Sequence, residues 1–149
     1  MVTPVGPGDH VRGEGIETIV YADLSCPHCA AVWPRLAVLD AKLVFRHFPI
    51  VAKHPRSLAL HAAAEAAGAQ RAFFEMVDSL LADRSRVDDP HLWERAKTLD
   101  LDLARFEAER RSEKTIARVR HDTESGLAAG VADTLAIFRN DRAVELDAL

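Results

Sequence analysis

Cys26 and Cys29 are the two cysteines of the 149-residue chain, and Pro27 and His28 separate them. A disulfide between residues this close encloses almost no loop, so it would stabilise the fold little by restricting the unfolded chain. A Cys-x-x-Cys pair of this kind is typical of redox or metal chemistry. A zinc centre needs four ligands, and the sequence offers neither a second Cys-x-x-Cys nor a His-x-x-x-His pair. We therefore predict thiol–disulfide chemistry and no metal.

The position of the pair between a predicted strand and a predicted helix indicates how it would react. Residues 17–23 are rich in β-branched and aromatic side chains, which predicts a buried strand, and residues 30–41 predict a helix. The unpaired N–H groups and the positive dipole end of that helix favour a thiolate at Cys26. We expect Cys26 to be an exposed nucleophile and Cys29 a buried thiol that resolves a mixed disulfide.

The two residues between the cysteines have separate expected roles. Pro27 fixes φ in the first helical turn and removes an N–H that would otherwise need a partner. His28 can carry a positive charge beside the Cys26 sulfur near neutral pH. Such a charge stabilises the reduced form, which makes the disulfide a stronger oxidant. We therefore count both residues with the cysteines as catalytic candidates.

The rest of the sequence predicts one α/β domain over residues 1–149. Asp102 and Ser112 are expected helix N-caps, Asp89-Pro90 is a further helix start, and Gly130 ends the last helix. The predicted elements, in chain order, are a loose lead-in (1–15), a strand (17–23), a helix (30–41), a strand (43–51), a helical block (about 55–129) and a hairpin (134–138 and 143–146).

Composition and charge argue against several classes of function. The formal net charge of −4 disfavours a general nucleic-acid binder. No apolar run approaches the roughly 20 residues that span a bilayer, so we expect no membrane insertion. The first 15 residues lack the apolar segment of a secretory signal. We expect a cytoplasmic protein, with an exported form as the alternative.

The Cys26-Pro27-His28-Cys29 segment between strand and helix resembles the active-site segment of the DsbA-like thiol–disulfide oxidoreductases, a branch of the thioredoxin superfamily. The resemblance covers about residues 18–146. It implies a thioredoxin fold with an all-helical insertion between the second and third strands, at about residues 55–129. It also implies exchange of the Cys26–Cys29 dithiol or disulfide with protein thiols, without a cofactor. Its further matches are Pro34, the run Phe45-Arg46-His47-Phe48-Pro49, the pair His54-Pro55 and the segment 62–74.

Two positions depart from the family pattern. The family usually has a cis-proline before the third strand, in a loop that presents backbone to the substrate, and Leu135 occupies that position here. The resemblance thus makes Thr134 and Leu135 candidate substrate-binding residues. Because a cis bond before a non-proline residue costs roughly 2.5–4 kcal/mol, we expect a trans peptide between them. Many relatives also have a buried acid where this chain has Val20, and strand alternation places Asp23 outside that pocket.

Other aromatic and histidine residues receive simpler interpretations. Trp33, shortly after Cys29, is the aromatic residue we place nearest the active site. His47 and His54 are expected to be solvated at a strand end and in a loop. His47, His54 and His61 are spaced seven apart but are not expected to form a ligand face, because His47 lies on a strand and His54 at a helix start.

Two rival functions stay open beside the oxidoreductase. The departures at Leu135 and Val20 would suit a catalytically weakened binding module that captures a metal between two chains. A glutathione transferase kappa-like enzyme is less favoured, because those relatives have a serine-type centre. Expected partners are protein thiols and disulfides, with glutathione or a thioredoxin-like protein as alternatives. A homodimer is also considered, because relatives add a closing helix where residues 144–149 end this chain.

Overall fold

The computed structural model describes residues 1–149 and contains five strands and six α-helices. Five of the helices lie between the third and fourth strands, which are the predicted second and third strands because β1 was not predicted. The predicted α/β fold with an all-helical insertion is thus confirmed. The elements are β1 (His10–Arg12), β2 (Ile16–Ala22), α1 (Pro27–Ala37), β3 (Ala41–His47), α2 (Ser57–Gly68), α3 (Phe73–Ala82), α4 (Asp89–Thr98), α5 (Leu103–Arg110), α6 (Glu113–Ala128), β4 (Ala136–Arg139), β5 (Arg142–Val144) and a 3₁₀ turn (Leu146–Ala148).

The strands form one mixed sheet in the order β1-β3-β2-β4-β5. β2 and β3 pair in parallel, and every other pair is antiparallel. Val20 at the centre of β2 lies opposite Phe45 on one side and Ile137 on the other. This central position of β2 matters for function, because the cysteine segment follows directly from its carboxyl end.

Alternating side chains of the central strands divide the core into two parts. Val20, Phe45 and Ile137 point into the larger cluster, which also contains Cys26 and Cys29. The residues next to them in each strand point to the smaller cluster on the opposite face, because successive side chains of a strand alternate between the two faces of the sheet. The members of that smaller cluster are Val2, Ile19, Tyr21, Val44, Phe48, Val131 and Phe138.

Helix α2 packs against the larger cluster through a face made mostly of alanine. Ala63, Ala64, Ala66 and Ala67 have no exposed surface. Alanine has the highest helix propensity and its small side chain lets the helix backbone approach its neighbours closely. The polar residues of this helix, His61 and Glu65 among them, are therefore brought close to the sheet.

The structure corrects several predicted boundaries. The loose lead-in contains β1, which pairs with β3, although its His-Val-Arg sequence has little strand propensity of its own. Helix α1 begins at Pro27 and ends at Ala37 rather than covering 30–41. Strand β3 covers Ala41–His47 rather than 43–51. Asp102 and Ser112 are confirmed as N-caps, since each side chain accepts a hydrogen bond from a backbone N–H of the following helix.

Residues 144–149 pack back onto the domain. Val144, Leu146 and Leu149 are partly buried and pack against the larger core cluster. The 3₁₀ turn at Leu146–Ala148 folds these side chains back onto the domain. Residues 144–149 therefore cover apolar surface at the place where relatives add a closing helix.

Gly126 of α6 provides a test of packing in the smaller cluster. A Cβ atom at this position would lie 2.8 Å from a ring carbon of Phe48 and 3.0 Å from one of Tyr21. We expect Gly126→Ala to lower the free energy of unfolding by about 1–2 kcal/mol, because overpacking outweighs the gain of about 1 kcal/mol in helix propensity. Urea unfolding measures the change. Leu127→Ala is the control, since Leu127 is 61% exposed and its truncation should have little effect.

Candidate active site

Cys26 lies at the junction between the loop that follows β2 and helix α1. It is the N-cap residue of α1, with extended backbone angles (φ −77°, ψ 123°), and Pro27 occupies the start of the helix as predicted. The carbonyl of Cys26 accepts a hydrogen bond of 3.1 Å from the Ala30 N–H. The thiol therefore stands beside the unpaired N–H groups of the first helical turn, where a negative charge is stabilised.

The two sulfur-bearing residues differ in accessibility less than we expected. Cys26 is 9% exposed and Cys29 is 1% exposed, and both are free thiols. The expectation of an openly exposed Cys26 is thus wrong, because the loop before β4 lies over it. The Sγ atom of Cys26 is 4.0 Å from the backbone carbonyl oxygen of Thr134. Cys26 remains the more accessible of the two, while Cys29 lies one turn deeper.

The loop formed by residues 130–135 therefore faces the cysteine pair. The expected trans peptide between Thr134 and Leu135 is wrong, since the bond is cis. The expectation rested on the preference of an isolated peptide, whereas in the fold Leu135 packs against the larger core cluster and Thr134 faces Cys26. The hydroxyl oxygen of Thr134 is buried and has no hydrogen-bond partner. This hydroxyl lies beside the Cys29 thiol and acts to lower its pKa.

Burial controls the protonation of Cys29. The pKa of its thiol is raised to about 12, mainly by loss of solvent and in part by the neighbouring Cys26. Cys29 is therefore a protonated thiol at neutral pH in this state. It must lose its proton when it attacks another sulfur atom.

The remaining predicted site residues lie at the surface. His28 and Pro27 are both exposed on the first turn of α1. Trp33, by contrast, is buried in the same core cluster as Cys29. Its ring nitrogen donates a hydrogen bond of 2.7 Å to Asp78, which ties α1 to α3. Trp33 supports the helix that carries the cysteines and does not line the surface around Cys26.

Asp23 lies in the loop between β2 and Cys26 and is more deeply buried than its sequence position indicated. Its carboxylate is fully buried and accepts hydrogen bonds from the N–H of Ser25 (2.9 Å), the N–H of Ile50 (3.0 Å) and the hydroxyl of Ser57. Its backbone carbonyl accepts a hydrogen bond of 3.0 Å from the Cys26 N–H. The alternation argument failed because β2 ends at Ala22, so Asp23 belongs to the loop. The signal in the sequence was an Asp two residues before a Ser, which is typical of a turn closed by its own side chain.

The buried carboxylate of Asp23 is charged under all ordinary conditions. Burial raises its pKa, but the adjacent His61 side chain and hydrogen bonds from Ser57 and two backbone N–H groups outweigh this effect and lower the pKa to about 2. An ionised Asp23 therefore links the cysteine loop to the segment after β3 and to the start of α2.

A chain of histidines continues from this loop across the core. His47 and His61 are fully buried, and their Nδ1 atoms are 2.7 Å apart. The expectation of a solvated His47 is wrong, because β3 ends under helix α2. The Leu24 N–H donates to His61 Nε2 at 3.0 Å, so the His61 proton is on Nδ1 and points to His47. His47 Nε2 in turn donates to Glu65 at 2.9 Å.

A cleft lies beside the cysteine loop on the side of α2. It has a volume of about 240 Å³, and Leu24 and Ser25 form part of its wall. The rest of the wall consists of Lys53, His54, Arg56 and Arg84 together with Pro55, Leu60 and Val87. The cleft offers positive charge next to the loop that leads into Cys26.

Comparison with known proteins identifies the family. A family model described as Thioredoxin matches residues 16–148. The chain belongs to the thioredoxin family. The fold resembles that of the thiol–disulfide exchange protein α-DsbA2 from Wolbachia pipientis, with a TM-score of 0.85 and 18% identity over 95% of this chain and 83% of that one. It also resembles a thioredoxin-like oxidoreductase from Silicibacter pomeroyi, with a TM-score of 0.82 and 19% identity over 93% and 84%.

A curated relative has a longer chain. The Na⁺/H⁺ antiporter NhaA 3 of Salinispora tropica is 36% identical over 151 residues, which is 95% of this chain and 23% of the antiporter. The thioredoxin-family chain thus spans about a quarter of the length of the curated relatives it matches. None of its own helices combines the length and apolar character needed to cross a membrane.

Asp23→Asn tests the role of the buried carboxylate. Wild-type protein should lose about 2 kcal/mol of unfolding free energy as the pH falls from about 4 to about 2, because protons bind the unfolded carboxylate first. The Asp23→Asn variant should not show this acid-induced loss of unfolding free energy. At neutral pH it should be less stable by about 1–3 kcal/mol, because an amide N–H replaces an acceptor.

Urea unfolding between pH 2 and pH 7 measures both effects. Asp40→Asn is the control, since Asp40 is exposed and belongs to the same half of the chain. Equal acid dependence in wild type and the Asp23→Asn variant would contradict a buried, ionised anchor.

Proposed function

We propose that this chain is a protein thiol–disulfide oxidoreductase. The Cys26 thiolate attacks a substrate disulfide, forms a mixed disulfide and releases one substrate thiolate. Cys29 then attacks the Cys26 sulfur, its proton passes to the departing substrate thiolate, and a Cys26–Cys29 disulfide is left. The reverse sequence oxidises a substrate dithiol. The two sulfur atoms carry both electrons, so the exchange needs no further cofactor.

The observation that carries this proposal is the arrangement of the two sulfur-bearing residues. Cys26 stands at the start of α1 with its sulfur 4.0 Å from the Thr134 carbonyl, and Cys29 lies one turn inward with a thiol pKa of about 12. The first position favours a thiolate, and the second keeps its proton until the mixed disulfide forms. Attack and resolution are thereby assigned to different sulfurs.

The surroundings of Cys26 support a polypeptide substrate. The backbone carbonyl of Thr134 faces the Cys26 sulfur. An extended peptide could bind there through backbone hydrogen bonds, which recognise no particular side chains. Glutathione or a thioredoxin-like protein is the alternative partner that restores the starting redox state. The adjacent basic cleft with Lys53 and Arg84 would suit carboxylates of either class.

Serine variants separate the two cysteine roles. We expect Cys26→Ser to abolish both reduction of insulin and oxidation of a reduced model peptide, because the attacking sulfur is lost. Cys29→Ser should instead accumulate a mixed disulfide with the substrate, since the resolving thiol is absent. Mass spectrometry without reductant detects this species. Val38→Ala is the control, because Val38 is 83% exposed at the far end of α1.

The same assays discriminate against a binding module without turnover. If the wild-type protein is no more active than Cys26→Ser in reduction of insulin and in oxidation of the model peptide, the oxidoreductase proposal is contradicted. Such inactivity would favour a thioredoxin-fold chain that captures partners or metal through its cysteines.

His28 is expected to make the pair oxidising. We expect His28→Ala to shift the reduction potential of the Cys26–Cys29 pair to more negative values by roughly 30 mV, which corresponds to about 1.4 kcal/mol of lost stabilisation of the thiolate form. Equilibration with glutathione buffers at pH 7 measures the potential. His121→Ala provides the control, because His121 is an exposed histidine on α6. An unchanged or more positive potential in the His28 variant would refute this role.

A further inference from the structure

We propose that His10, His47 and Glu65 form a binding site for a divalent transition-metal ion, best suited to Zn²⁺. The three residues come from β1, β3 and α2, and they are far apart in the sequence. Their ligand atoms all lie within 4.8 Å of one another. The site is separate from the cysteine pair and is independent of the proposed redox function.

The chemistry of the ligand set fits zinc. Two imidazoles and one carboxylate are a recurrent zinc set, in which water or a substrate completes a tetrahedron. Bonds of 2.0–2.2 Å place tetrahedral ligand atoms about 3.3 Å apart, so a separation of up to 4.8 Å must shrink by at most about 1.5 Å. His47 Nε2 and the Glu65 carboxylate are already 2.9 Å apart.

The three ligands are held in place by packing. The ring of His10 stacks on that of Phe73, with centroids 3.5 Å apart and an interplanar angle of 3°. His47 is fully buried, whereas the side chains of His10 and Glu65 are 20% and 14% exposed. Both His10 and Glu65 also hydrogen-bond to each other in the metal-free state. The cluster therefore exists before any ion binds, and few side chains must be ordered.

A cavity gives the cluster access to solvent. It has a volume of about 490 Å³, and both His10 and Glu65 lie on its wall. Lys114, Arg118 and Glu109 line it as well. Arg118 is paired with Asp9 and Asp122, so its positive charge is largely compensated. An ion could enter through this cavity and keep a water molecule as its fourth ligand.

The neighbouring histidine explains how His47 can change its proton. In the metal-free state His47 carries its proton on Nε2, the atom that would bind the ion. Binding moves this proton to Nδ1, which then donates to His61 Nδ1. The His61 proton moves to Nε2, which lies 3.6 Å from the Asp23 carboxylate, and the Leu24 N–H loses the acceptor that Nε2 provides in the metal-free state. A histidine ligand whose other nitrogen is ordered by a carboxylate-backed partner is typical of metal sites.

Zinc titration of a cysteine-free chain tests the proposal. Calorimetry with zinc chloride on the Cys26→Ser, Cys29→Ser double variant should detect about one equivalent, and no thiolate is present to bind it. Adding His10→Gln or Glu65→Gln should weaken zinc binding at least about tenfold. Loss of a residue that only hydrogen-bonds to a metal ligand already lowers metal affinity by that factor. His121→Gln is the matched control and should bind as the parent does. Because the cysteines are absent, the outcome does not depend on whether the chain is an oxidoreductase.

A second measurement locates the ion. Nitrogen-15 spectra of the histidine rings should show the His47 proton move from Nε2 to Nδ1 on addition of zinc. The His61 proton should move in the opposite direction. His10 lies at a half-buried strand edge, so the His10→Gln variant should keep the fold. If Glu65→Gln does not fold, the zinc affinity of His10→Gln alone tests the site. Absence of stoichiometric binding, unaltered affinity in His10→Gln, or unchanged His47 and His61 spectra would each overturn the proposal.

Discussion

The buried carboxylate of Asp23 is the interaction on which the geometry of the cysteine segment depends. A loop that leaves the centre of a sheet must satisfy its backbone N–H groups without water. Asp23 supplies acceptors for Ser25 and Cys26, and His61 supplies one for Leu24. The same carboxylate accepts from Ile50, after β3, and from Ser57, at the start of α2. One anion thus joins three segments that are distant in sequence and sets where helix α1 begins.

The place of the cysteine pair between a strand and a helix could be predicted from local sequence, because it depends on residues close together in the chain. The cysteine spacing, the strand before it and the caps at Asp102 and Ser112 are local signals of this kind. Strand β1 could not be predicted, since its three residues become a strand by pairing with β3. The burial of Cys26 and the peptide geometry at Thr134 depend on how the loop before β4 packs against α1. Predictions made for each segment separately carry no information about this packing.

The histidines show the same limit more clearly. His47 was placed on a strand correctly, but solvation was inferred from its position near the strand end. The burial of His47 follows from helix α2, whose alanine face allows His61 and Glu65 to reach the sheet. Polar residues on an otherwise small and apolar helix face are a signal that sequence analysis can use. Such residues must find buried partners, because an unpaired polar group inside the core is costly.

The position of the Cys26 sulfur beneath the Thr134 carbonyl also limits which partners can react. Disulfide exchange requires the attacking sulfur to approach along the axis of the bond that breaks. With 9% of Cys26 exposed, only a narrow range of approach directions is open. A disulfide held rigidly within a folded domain seldom presents its axis in that direction, whereas one in an unfolded or extended segment can turn into it. For the proposed thiol–disulfide exchange, this geometry predicts that disulfides in flexible segments react in preference to disulfides held within native domains.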